Sequence, residues 1–229
     1  MDRVAIVINS YKNNSSLLTQ AIRSCLIQDS VNARLIVSTV AGDPAIATAA
    51  AISKAIVIAT LPKPGIYEQL NNALNYLGDA EWFWYFSGND VALRTKSIDE
   101  INTCKRHGKK VCYSNYIATD AVLKNQKRTN FPAYNHDAHL KGNFVNDCAM
   151  VRRDVLEKYK PFALKWGNYA YYDFWLRIYK GEGDVFALNP RPEFYYRIMA
   201  TSKHVLRKKN PAEKRRYETL RAAMVRSHL

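Results

Sequence analysis

Two hydrophobic periods run along this chain, one of the strand and one of the helix, and they alternate. Residues 3–8 (RVAIVI) form a continuous apolar run, the mark of a strand buried on both faces. A polar loop, Asn9-Ser10-Tyr11-Lys12-Asn13-Asn14, follows, and then Leu17, Leu18, Ala21, Ile22, Cys25 and Leu26 recur at helical spacing behind a cap at Ser15 or Ser16. Residues 34–39 (RLIVST) predict a second strand, so strand, helix and strand fall within about forty residues, a βαβ unit with parallel pairing. The alanine-rich stretch 41–54 predicts a weak helix, and 55–59 (AIVIA) a third strand. Ile66, Leu70, Ala73, Leu74 and Leu77 then share one helical face ahead of Gly78, and the aromatic run 81–86 predicts a buried strand. That strand ends in Ser87-Gly88-Asn89-Asp90, which sets a lone carboxylate at the carboxyl edge of a sheet, where open α/β sheets bind ligands. The plain alternative for Asp90 is a turn-forming aspartate.

Beyond this half the pattern is less regular. It predicts a helix over 97–107, a strand over 110–114, a surface loop over 125–141, a mixed strand over 144–151 and a short helix over 153–158. The run 166–177 (WGNYAYYDFWLR) surrounds a lone Asp173 with aromatic residues, and two short strands are expected over 184–188 and 193–198. Asn210-Pro211-Ala212-Glu213 opens a last helix with an N-cap, a proline at its first position and a glutamate placed for a capping box.

With 229 residues and 48% hydrophobic positions, the composition is that of one globular α/β domain with a small appendage rather than a disordered chain. No signal-peptide pattern or membrane-spanning run occurs, so a cytoplasmic protein is expected, with attachment to a membrane surface left open. Cys25, Cys104, Cys112 and Cys148 have neither CxxC spacing nor paired histidines, which predicts buried, reduced thiols and not a zinc site. The net charge of +14 favours an anionic partner, whether nucleotide diphosphate, nucleic acid or anionic membrane. Ten Lys/Arg against two Glu from Arg197 onward concentrate that charge at the C-terminus.

Four stretches together resemble a family 2 inverting glycosyltransferase with the GT-A fold, over residues 4 to about 202. VAIVINSY and its helix are similar to the opening strand and "PTYN" loop, with Asn9 where proline is usual. Gly65-Ile66-Tyr67-Glu68-Gln69-Leu70-Asn71-Asn72-Ala73 resembles the "GIYDAMNKG" run of one subgroup. Phe86-Ser87-Gly88-Asn89-Asp90 resembles "LNSDD", that subgroup's version of the metal-binding DXD element, and Tyr172-Asp173-Phe174-Trp175-Leu176-Arg177 resembles the "(E)DYDLWLR" segment that supplies the base.

The resemblance implies an α/β GT-A fold, Rossmann-like, with a mixed, mostly parallel sheet flanked by helices. Residues 1–205 would form the domain (1–96 binding the nucleotide sugar, 97–205 the acceptor), and 206–229 a basic helix. It implies a metal-dependent hexosyl- or pentosyltransferase using Mn²⁺ or Mg²⁺, a UDP-linked donor and a saccharide acceptor in surface glycan synthesis. Asp90 would hold the metal, one acid short because Asn89 replaces the other. Asp173 would be the base, partly desolvated by its aromatic neighbours. Ser10, Tyr11, Glu68, Asn71, Asn89, Asp90 and Arg197 would bind the donor, with Arg197, Ser202, Lys203 and His204 in a loop closing over the diphosphate. Ser38, Thr39 and Val40 stand where a base-contacting aspartate is usual, with Asp43 further on. Two alternatives stay open: transfer to hydroxymethylated bases of DNA, and a non-catalytic module of the same fold binding nucleotide or nucleic acid.

Overall fold

A computed structural model describes residues 1–12, 14–63, 65–199 and 210–229. The first half follows the hydrophobic pattern closely. Strand β1 (Asp2–Asn9) lies between β2 (Val31–Val40) and β4 (Trp82–Ser87), and β3 (Val57–Leu61) flanks β2, all four parallel. Helices α1 (Ser15–Leu26), α2 (Ala45–Ile52) and α3 (Ile66–Ala73) make the crossovers. Val4 to Ile8 are fully buried because the strand has a layer on each side: Val4, Ile6 and Ile8 enter one core with α1, α2 and α4 (Lys96–His107), while Ala5 and Val7 enter the other with α3, α6 (Arg153–Tyr159) and α7 (Ala170–Glu182). The cap of α1 is Asn14, whose side chain accepts from the Ser16 N–H at 2.8 Å, rather than either serine.

The second half is mixed. β8 (Met150–Arg152) runs antiparallel to β4 and to β6 (Val111–Thr119), β9 (Phe186–Arg197) runs parallel to β6, and β5 (Val91–Ala92) closes the edge antiparallel to β9, giving the order β3-β2-β1-β4-β8-β6-β9-β5. Three expectations are corrected here. The mixed strand expected over 144–151 shrinks to β8, because 143–149 leave the sheet as a loop. The expected surface loop 125–141 contains β7 (Lys127–Arg128), paired to β6, and α5 (His136–Lys141). The two short strands near the C-terminus are one, β9, bent by register shifts opposite Ser114 and Asn115 where Pro190 and Pro192 interrupt the ladder.

Polar groups stitch the mixed half together. Lys96 and Glu100, one turn apart on α4, are both fully buried and pair at 2.6 Å, with the Lys96 ammonium 4.7 Å from the Trp84 ring centre. Burial pushes Glu100 up, only partly offset by Lys96. The four cysteines are buried and unpaired, as expected from their spacing.

The terminal helix α8 (Pro211–Arg226) is capped by Asn210, which accepts from the Ala212 and Glu213 N–H groups. It docks on α7: Met224 is buried against Tyr172 and Leu176, and the Tyr217 hydroxyl accepts from the Asn168 amide at 3.0 Å. No helix among the described residues is long and apolar enough to cross a membrane.

Candidate active site

A cleft of about 710 Å³ opens at the carboxyl ends of β1 and β4. Its floor is Asn9, Ser87, Asn89 and Asp90; its walls are Tyr67 and Tyr85, loop residues 143–148, Tyr171 of α7, and the end of β9 with Tyr196 and Arg197. The place follows from the topology, since β1 and β4 both deliver polar turns to one edge of the sheet.

Asp90 is 2% exposed, and its Oδ1 accepts the Arg197 backbone N–H at 2.8 Å. Burial pushes its pKa up to about 7, the Arg197 N–H and charge offsetting only part of the rise. The Arg197 guanidinium donates to the Asn89 carbonyl and, at 2.7 Å, to Gln20 Oε1. Arg197 thus ends β9 as an ordered crosslink between the two halves of the sheet.

Tyr11, Asn89, Asp90 and Arg197 therefore meet in one cleft, while the other expected residues do not line it. Ser10 is buried beside β2, its N–H donating to the Ser38 carbonyl at 2.9 Å. Glu68 folds back over the start of α3, so close that a Cβ on Gly65 would lie 2.1 Å from its Oε2. Asn71 brackets Phe162, donating to its carbonyl at 3.0 Å and accepting its N–H at 2.8 Å, and so clamps the chain before α7. Ser202, Lys203 and His204 lie outside the described residues. Asp43 accepts the Lys12 and Ala45 N–H groups at 2.9 and 2.8 Å, which fixes the loop after β1.

Asp173 is the main correction. It is 3% exposed but faces away from the cleft, its Oδ2 accepting from Arg177 Nε at 2.8 Å and its Oδ1 lying 2.9 Å from His228 Nε2. Burial raises its pKa, but His228 and Arg177 outweigh that and hold the carboxyl below its ordinary range. The reason is helical geometry: two residues along α7 turn a side chain by about 200°, so Tyr171 takes the cleft face and Asp173 the α8 face.

The second carboxylate of the cleft is Asp147, which the sequence reading passed over as part of a strand. It is half-buried, and desolvation pushes its pKa up to about 7. The available signal was Asn146-Asp147, two adjacent polar residues that break the apolar run of FVNDCAMV. Asn146 anchors the loop by donating to the Ser114 carbonyl at 2.7 Å.

Among the described residues no cluster of three or more His, Cys, Asp or Glu could cage a metal. Asp90 nonetheless suits a divalent cation that takes most of its ligands from a diphosphate: it is a hard oxygen donor on the cleft floor, and among the described residues only its Oδ1 is engaged.

No protein-family model and no curated protein matches this chain. Solved structures do match its fold. The chain resembles S. aureus TarS 1-349 in complex with UDP-GlcNAc with a TM-score of 0.67 at 14% identity, over 90% of this chain and 61% of that one. It resembles the mannosyltransferase PcManGT from Pyrobaculum calidifontis, in complex with GDP-Man and Mn²⁺, with a TM-score of 0.64 at 13% identity, over 96% and 63%. The longer TarS structure is matched over 86% of this chain and 37% of its own length, so this chain spans roughly one-third to two-thirds of these proteins. The fold is the GT-A glycosyltransferase fold, a curled mixed sheet between helical layers.

Proposed function

We propose that this chain is a glycosyltransferase, moving a sugar from a nucleotide-diphosphate donor to an acceptor hydroxyl. The observation that carries the reading is Asp90, a buried carboxylate on the floor of a large cleft at the strand edge of a GT-A sheet. Two structural neighbours bear UDP-GlcNAc or GDP-Man, the latter with Mn²⁺, which supports a nucleotide sugar and a divalent metal here. Mn²⁺ or Mg²⁺, when bound, supplies Lewis-acid stabilisation of the departing diphosphate.

Asp90 would hold the metal, and Arg197 would release Asn89 or Gln20 to pair with phosphate oxygens. Tyr11, exposed at the mouth, offers a face for the nucleobase, and Asn89 a polar contact to the donor. Tyr116, with the rings of Phe131 and Tyr196 packed on it, lines the cleft and suits a saccharide acceptor. Direct attack by an acceptor held there on a donor seated over Asp90 gives inversion at the anomeric carbon.

Calorimetric titration with UDP and GDP, with and without Mn²⁺, tests the reading. Metal-dependent binding that disappears in Asp90→Asn is expected. Binding of neither nucleotide in either condition refutes it.

A further inference from the structure

We propose that Asp147 is the general base of the cleft, the group that takes the proton of the attacking hydroxyl. The assignment rests on the glycosyl-transfer reading and deepens it.

A base for this reaction must be a carboxylate or imidazole within reach of an acceptor in the cleft, and its oxygens must not already be committed. Three carboxylates enter the comparison. Asp90 is tied to the Arg197 N–H on the floor. Asp173 spends one oxygen on Arg177 and the other on His228, on the reverse face of α7. Asp147 alone meets both conditions: it lines the cleft, and among the described residues no hydrogen bond or ion pair reaches its carboxylate.

Among the described residues, the titratable groups that face it are Tyr67 of α3, Tyr85 of β4, Tyr171 of α7, Tyr196 of β9 and its own neighbour Cys148. None is a cation, and burial holds each of them protonated. A polar group left without partners inside such a wall costs stability, so the fold carries a bare carboxylate where ordinary packing would place an amide or an apolar residue. Desolvation, which no cation among the described residues offsets, also raises its basicity, in agreement with the geometry.

The step balances as follows. The acceptor O–H proton passes to an Asp147 oxygen while the acceptor oxygen bonds to the anomeric carbon. The bond from that carbon to the phosphate oxygen breaks, and its electron pair leaves with the nucleoside diphosphate. Asp147 returns the proton to solvent once the products depart.

Azide isolates the base, because it attacks as an anion and has no proton to lose. Nucleoside-diphosphate release from UDP-GlcNAc and GDP-mannose is measured with Mn²⁺ in the wild type and in Asp147→Asn, with water or added azide as the nucleophile. The isosteric variant is expected to bind the diphosphate within about threefold of the wild type and to lose hydrolysis by roughly 10²–10⁴-fold. Azide should restore turnover in the variant and yield a glycosyl azide. Three results overturn the assignment: hydrolysis retained within threefold, no response to azide, or loss of Mn²⁺-dependent binding, which would make Asp147 a metal ligand. A wild type that binds neither nucleotide fails in the titration above, and takes this assignment with it while marking the broader reading as the cause.

Discussion

Helix α7 separates two carboxylates that live in opposite electrostatic worlds. On its outer face Asp173 is enclosed by Arg177 and His228, so burial costs it little and its charge is favoured. On its inner face Tyr171 looks across to Asp147, whose burial no cation among the described residues offsets, so its charge is disfavoured. The first arrangement builds structure, joining α7 to the C-terminal segment that follows α8. The second stores reactivity at the expense of stability. Aromatic surroundings alone therefore do not make an aspartate basic; what else its oxygens touch decides the sign.

Asp90→Asn should act on the cleft side, with an effect of the same order as that expected for turnover in Asp147→Asn. It is expected to lower Mn²⁺-dependent nucleoside-diphosphate release by about 10²–10³-fold, in line with the loss of one preorganised charge contact at the leaving group. A full-rate variant would remove Asp90 from the chemistry.

Asp173→Asn should act on the other side only. We expect a loss of about 2 kcal/mol, a fall in Tm of roughly 4–8 °C, with nucleotide affinity unchanged. Because the folded pKa of Asp173 is depressed, its contribution is complete above the unfolded value near 3.9 and is lost as pH falls through the folded one. The gap in Tm between wild type and variant should accordingly close in acid. Turnover lost at unchanged stability would reverse the two roles.

The smallest effect is the stability of Asp147→Asn. A carboxyl whose folded pKa is raised to about 7 binds its proton more tightly folded than unfolded, so stability falls as pH rises from about 4 to 7. The asparagine variant lacks that penalty. Its stability relative to wild type should rise across this window, by an amount on the order of 1 kcal/mol because the half-buried group still reaches water, and its Tm with it. A pH-independent difference would mean that Asp147 is better solvated than its surroundings indicate.

The parallel half of the sheet was legible element by element, with β2 longer than its apolar run and β3 two residues further on, because strands buried on both faces write themselves as unbroken apolar runs and the helices between them keep a 3.6 period. Asp90 was legible for the same reason, standing where such a run stops. Asp147 was not. Its loop is flanked by apolar residues buried by tertiary contact, Val145 and Ala149 among them, and that burial mimics strand periodicity. Asp173 falls outside the cleft because its segment has the right composition but the wrong phase: the cleft-facing position two residues earlier is a tyrosine. Glu68 and Asn71 followed the same course, since both lie on α3 near the cleft yet serve the helix start and the Phe162 backbone.

The pair Lys96–Glu100 carries a consequence for how this sequence can change. Fully enclosed against Trp84, neither partner can be replaced singly without stranding the other as an isolated ion, so each position vetoes substitutions at its neighbour one turn away. Only a concerted exchange for two apolar side chains of matching volume escapes that trap, and such swaps are often neutral or stabilising. The two sites are therefore energetically linked: a single substitution that strands the partner should cost several kcal/mol, on the order of 3–5, which the paired exchange avoids.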